Sequence, residues 1–215
     1  MKLSKAMILG LLIFEVGTSF AQIDADFGQF SLGVKAGANL SNVWDAQGED
    51  FVADSKLGAV GGVFFAVPIG KYLGVQPEIL FSQKGFKGEG NLLGFPYTFT
   101  RTTSYLDVPI LLQLKPIEGF SFVVGPQFSY LLKEKNVYTF GSNSSEQEDA
   151  FANEDLRNNI LGFIVGAELT VSSIVISARA GWDFQTNNKN SVSTTPRYKN
   201  QLLQLTVGYN IIPTR

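Results

Sequence analysis

The sequence contains neither cysteine nor histidine, and each absence removes a class of chemistry. Without cysteine the chain has no disulfide and no thiol nucleophile. Without histidine it lacks the general base of the usual serine and cysteine hydrolases and the commonest ligand of zinc sites. These two absences argue against an enzyme, and they lead us to expect neither a metal ion nor an organic cofactor.

An excess of charge is also missing, because 17 basic residues stand against 19 acidic ones and the net charge is -2. The lack of a basic surplus argues against nucleic acid as a partner. With 215 residues the chain is long enough for one domain with a full core. Glycine (22 residues) and phenylalanine (18 residues) are frequent, and glycines interleaved with aromatics in β segments are typical of barrels.

Long hydrophobic runs are confined to the start of the chain. Lys2 and Lys5 precede an apolar run over Ala6 to Phe14, and Ser19-Phe20-Ala21 fits the small-x-small pattern of a cleavage site. The alternative, a membrane anchor helix, needs a longer apolar run than this one. We therefore predict a cleaved signal peptide over residues 1–21 and a single barrel domain over residues 22–215.

The stretch YLDVPILLQLKP, from Tyr105 to Pro116, shows the pattern that dominates the rest of the chain. Its even positions are all aliphatic, whereas its odd positions are mixed and include Asp107 and Gln113. A helix is excluded by Pro109. A period of two predicts a strand with one apolar face and one polar face.

The same alternation recurs along the chain and predicts eight strands of about ten residues or more, a length that suits tilted membrane strands. They are Gln29 to Val43, Lys56 to Val67, Tyr72 to Lys84, Thr98 to Lys115, Phe120 to Leu132, Asn159 to Thr170, Ser173 to Phe184 and Asn200 to Ile211.

The connections between these strands alternate strictly between short and long. The short ones are Pro68 to Lys71, Pro116 to Gly119 and the turn near Val171-Ser172; the long ones are Trp44 to Ser55, Gly85 to Tyr97, Lys133 to Asn158 and Gln185 to Lys199. This places all tight turns at one rim, as in outer-membrane barrels with short periplasmic turns and long outer loops. The prediction is an all-β, eight-stranded antiparallel up-and-down transmembrane β-barrel with both termini on the short-turn side.

The charged residues of the strands indicate which face is inside. They fall in mixed sign on the polar face, while the other face is uniformly apolar, as expected of a wall in contact with lipid. An eight-stranded barrel has a narrow interior filled by side chains, so we predict a structural polar network there rather than a path for ions. Asp107 is expected to face Lys35 or Arg179. The predicted network is Lys35, Glu78, Lys84, Asp107, Gln113, Gln127, Glu168, Arg179 and Asp183.

Four further features lead to expectations of their own. Each proline within a strand removes a ladder hydrogen bond and is interpreted as a bulge: Pro77, Pro109 and Pro126. Aromatic residues near strand ends are interpreted as girdles at the membrane interfaces: Trp44, Tyr72, Tyr105, Tyr130, Trp182 and Tyr209.

The acidic segment SSEQEDAFANED has oxygen ligands for a cation but no calcium-loop spacing, so a solvated loop is favoured: Glu146, Glu148, Asp149, Glu154 and Asp155. Aromatics in the long loops either contact a partner or pack the loops together: Phe95, Tyr97 and Phe151.

Four segments of the chain resemble the PorT-like outer-membrane β-barrel proteins of Bacteroidota. They are GVKAGANLSNV (33–43), QPEILFSQKG (76–85), YLDVPILLQLKP (105–116) and GPQFSYLL (125–132), in the order and spacing of that family's first, third, fourth and fifth strands. The end of the chain, VGYNIIPTR, departs from the usual terminal aromatic, so Tyr209 has to serve as the insertion signal. The resemblance implies a fold and an outer-membrane location; some relatives assist type IX secretion.

The sequence thus predicts a small exported outer-membrane protein without enzymatic activity. Its role is structural or interactive through long outer loops, and its partners are outer-membrane lipid and other envelope or secretion proteins. Three alternatives remain open: a narrow pore for small or apolar solutes, a lipid-modifying enzyme that uses carboxylates, and a soluble periplasmic barrel that binds an apolar ligand inside.

Overall fold

The chain forms one antiparallel sheet that closes on itself as a ring. The computed structural model describes residues 30–44, 52–92, 95–140, 143–150, 159–187 and 198–212. Among these residues no helix is both long enough and apolar enough to span a membrane. The strands are β1 (Ser31–Val43), β2 (Val52–Gly70), β3 (Leu73–Leu92), β4 (Phe95–Ile117), β5 (Phe120–Phe140), β6 (Asn143–Ala150), β7 (Asn159–Val171), β8 (Ile174–Asp183) and β9 (Asn200–Ile212).

Eight of these strands form the ring, in the order β1-β2-β3-β4-β5-β7-β8-β9, and β1 pairs with β9 to close it. The pairing is antiparallel at every junction, which confirms the predicted eight-stranded up-and-down barrel. Within the described chain, β6 lies outside the ring and pairs with the distal part of β5. Strand β3 lies directly opposite β8 in this ring, four strands away in either direction.

The two faces of the wall have opposite chemistry. On β9, for example, Leu205 is 58% exposed on the outside whereas its neighbours Gln204 and Thr206 are buried inside. The exposed outer side chains include Val34, Leu40, Ile79, Phe81, Leu106, Ile110, Leu112, Phe122, Phe128, Leu169, Ile176, Leu203 and Val207. An apolar outside around a charged inside reverses the arrangement of a soluble barrel, and it suits a wall surrounded by lipid.

All three predicted tight turns lie at one rim. They are Lys71-Tyr72 between β2 and β3, Glu118-Gly119 between β4 and β5, and Ser172-Ser173 between β7 and β8. Gly119 and Ser172 have φ angles of 75° and 56°, which a tight connection between twisted strands requires. We call this end the short-turn rim.

At the other end, two segments predicted as loops are paired strands instead. Gly85 to Tyr97 was predicted as a loop, but β3 continues to Leu92 and pairs with β4 from Phe95 onward. Likewise Lys133 to Asn158 was predicted as a loop, but β5 continues to Phe140 and pairs with β6. These hairpins project beyond the ring. Backbone hydrogen bonds hold their strands together. Their sequences lack the alternating apolar pattern because neither face has to contact lipid.

A β-bulge on β5 changes which residues face inward. Ser104 pairs with Lys133 but the next residue, Tyr105, pairs with Leu131, so Leu132 is the extra residue. Below the bulge the odd residues of β5 point into the barrel, and above it the even residues do. Glu134 and Asn136 are therefore inside although they follow the predicted end of the strand.

The prediction that the strand prolines mark bulges is wrong. The register is the same on both sides of the gap that follows Pro77 in the β3–β4 ladder, and the same holds beyond Pro109 in the β4–β5 ladder. Pro126 keeps its place opposite Phe163. The prolines therefore interrupt individual pairs without shifting the strands.

Candidate functional site

The interior near the short-turn rim is filled by a cluster of four charges, which we call the lower layer: Lys35 on β1, Glu78 on β3, Glu168 on β7 and Arg179 on β8. The Arg179 guanidinium donates to both Glu78 oxygens at 2.7 and 2.8 Å and to Glu168 Oε1 at 2.6 Å. Lys35 Nζ lies 2.8 Å from Glu78 Oε1 and 3.4 Å from Glu168 Oε1. Two positive and two negative groups thus meet on the barrel axis, almost entirely hidden from solvent.

Amide and hydroxyl side chains complete the lower layer. Gln76 Nε2 donates to Glu78 Oε1 at 2.6 Å and to Glu168 Oε1 at 3.1 Å. Gln113 donates to Gln76 Oε1, and Arg179 Nε donates to Ser177 Oγ at 2.8 Å. Gln113 belongs to the predicted network, whereas Gln76 was not singled out, although its position on the polar face of β3 was a sufficient signal.

A second cluster, the middle layer, lies farther from the short-turn rim and contains Lys84, Asp107 and Asp183. Lys84 Nζ lies 3.3 Å from both carboxylate oxygens of Asp107 and donates to Ser129 Oγ at 3.1 Å. Asn200 Nδ2 donates to Asp183 Oδ2 at 2.7 Å. The expectation that Asp107 faces Lys35 or Arg179 is wrong, because the adjacent strand β3 places Lys84 beside it.

Neutral polar side chains connect the walls around the middle layer. Asn39 on β1 donates to Ser82 Oγ on β3 at 2.9 Å, and it accepts a hydrogen bond of 3.0 Å from Gln204 on β9. Gln127 donates to Ser129 Oγ at 3.3 Å. Of these residues only Gln127 was predicted as part of the network.

An upper layer, which the sequence did not reveal, surrounds Arg101 on β4. Its Nε donates to Asn136 Oδ1 at 2.8 Å, and Nη2 lies 3.4 Å from Glu134 Oε1. The guanidinium also lies against two aromatic rings, 6.0 Å from the centroid of Phe86 and 5.6 Å from that of Tyr198. Both Glu134 and Asn136 face inward only because of the bulge at Leu132, for which the sequence carries no clear signal.

Tyr198 closes this layer from the segment that precedes β9. Its ring packs edge-on against Phe86 with a centroid distance of 5.0 Å, and its backbone N–H donates to Asn187 Oδ1 at 3.0 Å. Burial raises the pKa of Tyr198 to about 12, although the neighbouring Arg101 opposes this shift. Neutral Tyr198 is therefore part of the packed interior at neutral pH.

The remaining predicted features lie in different places. Tyr105 is not an interfacial aromatic: it is buried inside, where its ring lies 4.7 Å below Lys84 Nζ. The other five predicted girdle aromatics are exposed, three on strands and two just beyond strand ends: Tyr130, Trp182 and Tyr209, and Trp44 and Tyr72.

The acidic segment is a strand over part of its length rather than a loop. Glu146, Glu148 and Asp149 lie on β6, whereas Phe151, Glu154 and Asp155 lie outside the described residues. Phe95 and Tyr97 are the opening residues of β4. In the described portion of the chain, no three acidic side chains gather as a metal site.

Three solved structures show what this chain is similar to. Neisserial surface protein A shares 12% identity, with 84% of this chain and 97% of that chain covered and a TM-score of 0.47. The attachment invasion locus protein of Yersinia pestis shares 14% identity, with 84% and 98% covered and a TM-score of 0.43. For the outer membrane protein OprG from Pseudomonas aeruginosa the identity is 12%, the coverage 86% and 97%, and the TM-score 0.44.

Among curated proteins none matches the sequence. A family model described as outer membrane protein beta-barrel domain matches residues 20–186. This range contains seven of the eight ring strands, from β1 to β8, together with most of the charged residues of the interior. The chain belongs to the outer membrane protein beta-barrel domain family.

Proposed function

We propose that this outer-membrane protein is a closed, non-enzymatic barrel that acts as a structural or interaction protein through the hairpins that project at the end opposite the short-turn rim. One observation carries this proposal: the lower layer joins opposite walls of the barrel through Arg179 and Glu78. A lumen crossed by a bidentate ion pair is filled rather than open. The interior then stabilises the barrel, and contacts with other molecules are made by its outer surface.

The three layers support a filled interior along most of the barrel's length. The lower layer is balanced in charge and shares each carboxylate between two cations. The middle layer adds hydrogen bonds between strands that are not neighbours, such as that from Lys84 on β3 to Ser129 on β5, and the upper layer adds one between the adjacent strands β4 and β5. A solute would have to break several buried ion pairs to pass, at a cost of several kcal/mol for each ion left unpaired.

The projecting hairpins support a role in contacts outside the membrane. The β3–β4 ladder continues to the pair Leu92–Phe95, and β5 and β6 extend beyond the ring beside it. Antiparallel pairing makes these segments more rigid than open loops of the same length, and rigid surfaces lose less conformational entropy on binding. The short-turn rim presents only tight turns, and it would face the periplasm.

The PorT-like resemblance supports a narrower version of the proposal. On this version the chain is exported by its predicted signal peptide, residues 1–21, and serves the envelope of a Bacteroidota cell. Its partners are then outer-membrane lipid and other envelope or secretion proteins. The absence of histidine and cysteine from the sequence, and the engagement of the interior carboxylates in ion pairs or hydrogen bonds, favour a protein without catalytic activity.

Conductance in planar lipid bilayers tests the closed lumen. The refolded wild-type barrel is expected to give no steady channel, whereas the Glu78→Ala/Arg179→Ala double variant, which removes the bidentate pair, is expected to conduct. The matched control is Lys87→Ala, which changes an exposed charge on β3. Steady conductance of the wild type equal to that of the double variant contradicts the proposal and supports the alternative, a narrow pore.

Site-specific photo-cross-linking in intact cells tests the exterior role. A photoreactive residue at Thr98, exposed on the projecting part of β4, is compared with one at Tyr72 on the short-turn rim. Defined protein adducts from Thr98 and a different pattern from Tyr72 are expected. Identical patterns from both positions, or adducts to lipid alone, argue against contacts through the projecting hairpins.

A further inference from the structure

The middle layer has one positive group for two negative groups. Lys84 is its base, and Asp107 and Asp183 are its acids, each no more than 3% exposed. The lower layer contains two bases and two acids, and the upper layer pairs Arg101 with Glu134. The uncompensated negative charge of the described interior therefore falls in the middle layer, where a buried charge without a partner is strongly unfavourable.

Two buried oxygen atoms around this layer accept no hydrogen bond from the described residues. Asn200 is 1% exposed, and its Nδ2 donates to Asp183 while its Oδ1 accepts no hydrogen bond. Asp107 Oδ2 is likewise buried and accepts no hydrogen bond among the described residues, although Lys84 Nζ lies 3.3 Å away. Carboxylate, amide and hydroxyl oxygens are the ligands that hard cations take in proteins.

The two carboxylates lie at a similar level of the barrel, on strands β4 and β8, which are three places apart in the ring. Across the sheet, Asp183 pairs with Gly162, Gly162 with Gln127, and Gln127 with Pro109, which is two residues from Asp107. Asp183 lies on β8, opposite β3, which carries Lys84. A single cation near the barrel axis would therefore interact electrostatically with all three charged residues of the middle layer.

We propose that the middle layer binds one monovalent alkali cation, held by oxygen atoms of Asp183, Asp107 and Asn200. One positive charge balances the layer, whereas a divalent ion would leave it with an excess positive charge. The cation compensates Asp183 in the same way that Lys84 compensates Asp107. The site goes beyond the proposed function, because a closed interaction barrel does not require a bound ion.

Thermal unfolding of the refolded barrel in detergent at about pH 8 tests this site. The Tm is measured in NaCl, in KCl and in N-methylglucamine chloride at equal ionic strength, because a ligand that binds only the folded state raises its stability with concentration. For the wild type, the Tm is expected to rise by about 3–5 °C as NaCl or KCl replaces N-methylglucamine chloride from about 1 mM to about 150 mM. The Asp183→Asn variant, whose middle layer is already neutral, is expected to show no rise.

Two further variants make the result specific. Asp54→Asn removes an exposed carboxylate on β2 and should keep the full response to salt. Asn200→Ala removes an oxygen ligand but no charge, and it should weaken the response; it also serves if Asp183→Asn does not refold. An equal Tm in all three salts for the wild type, or an unchanged salt response in Asp183→Asn, overturns the proposal.

A proton in place of the metal ion is the main competing outcome. In N-methylglucamine chloride it would make the wild-type Tm fall as the pH rises from about 5 to about 8, because the folded state would hold the extra proton. The titratable and polar groups around Asp183 are Lys84, Asp107, Tyr105, Tyr198 and Asn200. A pH effect that disappears in Asp183→Asn, combined with indifference to Na⁺ and K⁺, assigns a proton and rejects the cation.

Discussion

Arg179 and Glu78 form two parallel hydrogen bonds, of 2.7 and 2.8 Å, across the full width of the barrel. Their strands, β8 and β3, are opposite members of the ring and share no backbone hydrogen bond. The planar guanidinium fixes both distance and orientation, which a lysine at the same position would not do. The pair therefore holds the two walls at a set separation.

Replacing Arg179 by methionine should destabilise the barrel by about 3–5 kcal/mol, because Glu78 and Glu168 would remain buried with only Lys35 to compensate them. Urea unfolding in micelles measures the loss, with the heat-dependent shift on SDS gels as an independent readout of closure. Lys87→Met, at an exposed position of β3, is the control. The double variant Arg179→Met/Glu78→Gln should regain part of the stability; an equal or greater loss would argue against a charge effect.

Gly85→Ala should cost about 1–3 kcal/mol. Gly85 has a φ angle of 149°, and a Cβ there would collide with the backbone oxygen of Arg101. Its backbone also forms two hydrogen bonds with Ser41 Oγ, at 2.8 and 2.9 Å, which a shift would break. Gly70→Ala is the matched control, since a Cβ at that position meets nothing within 4 Å. Equal urea midpoints for the two variants would contradict the steric explanation.

Leu205→Lys should destabilise the barrel in lipid bilayers by about 2–4 kcal/mol, because residue 205 lies midway along β9 on the apolar outer wall. Ile117→Lys should cost only about 0–1 kcal/mol, because that residue is 67% exposed at the short-turn rim. Unfolding of both variants in vesicles measures the difference. A soluble barrel would tolerate both lysines equally, so equal costs would refute the lipid-facing wall.

Wild-type stability should fall between about pH 10 and about pH 12, by at most about 3 kcal/mol from Tyr198. The folded-state pKa of Tyr198 is raised to about 12 from 10.0, so the unfolded chain loses this proton first. The stabilisation is complete below pH 10 and disappears as the pH rises through 12. Tyr198→Phe should flatten this part of the profile, whereas Tyr72→Phe, at an exposed position, should not.

The alternation of residues predicted the wall of the barrel because lipid and a crowded polar interior impose a period of two on every strand. The charged residues on the polar face of β1, β3, β7 and β8 could be assigned to the interior on this basis alone. The three tight turns could be assigned as well, since strand length and turn residues together limit where a short connection fits.

Contacts between strands could not be predicted, because they depend on register. Asp107 contacts Lys84 rather than Arg179: the β3–β4 register pairs Asp107 with Leu80, and the long side chain of Lys84, four residues along β3, reaches the carboxylate. One extra residue at Leu132 brought Glu134 inside, and no sequence signal marks that residue. The extensions of β3 and β5 were missed for a related reason: beyond the lipid, neither face must be apolar, so the pattern used to find strands disappears.

The cluster of Lys35, Glu78, Glu168 and Arg179 draws on strands from the start, middle and end of the chain, and β1 meets β9 only when the ring closes. During assembly, an open sheet exposes these four charges to the membrane interior without their partners. Partly closed forms are therefore high in free energy, because their charges lack partners. Closure then becomes a concerted, all-or-none step that depends on contacts between residues distant in sequence. The polar interior would then select for the correct strand register during assembly. A barrel with shifted strands would fail to insert because its buried charges could not form ion pairs.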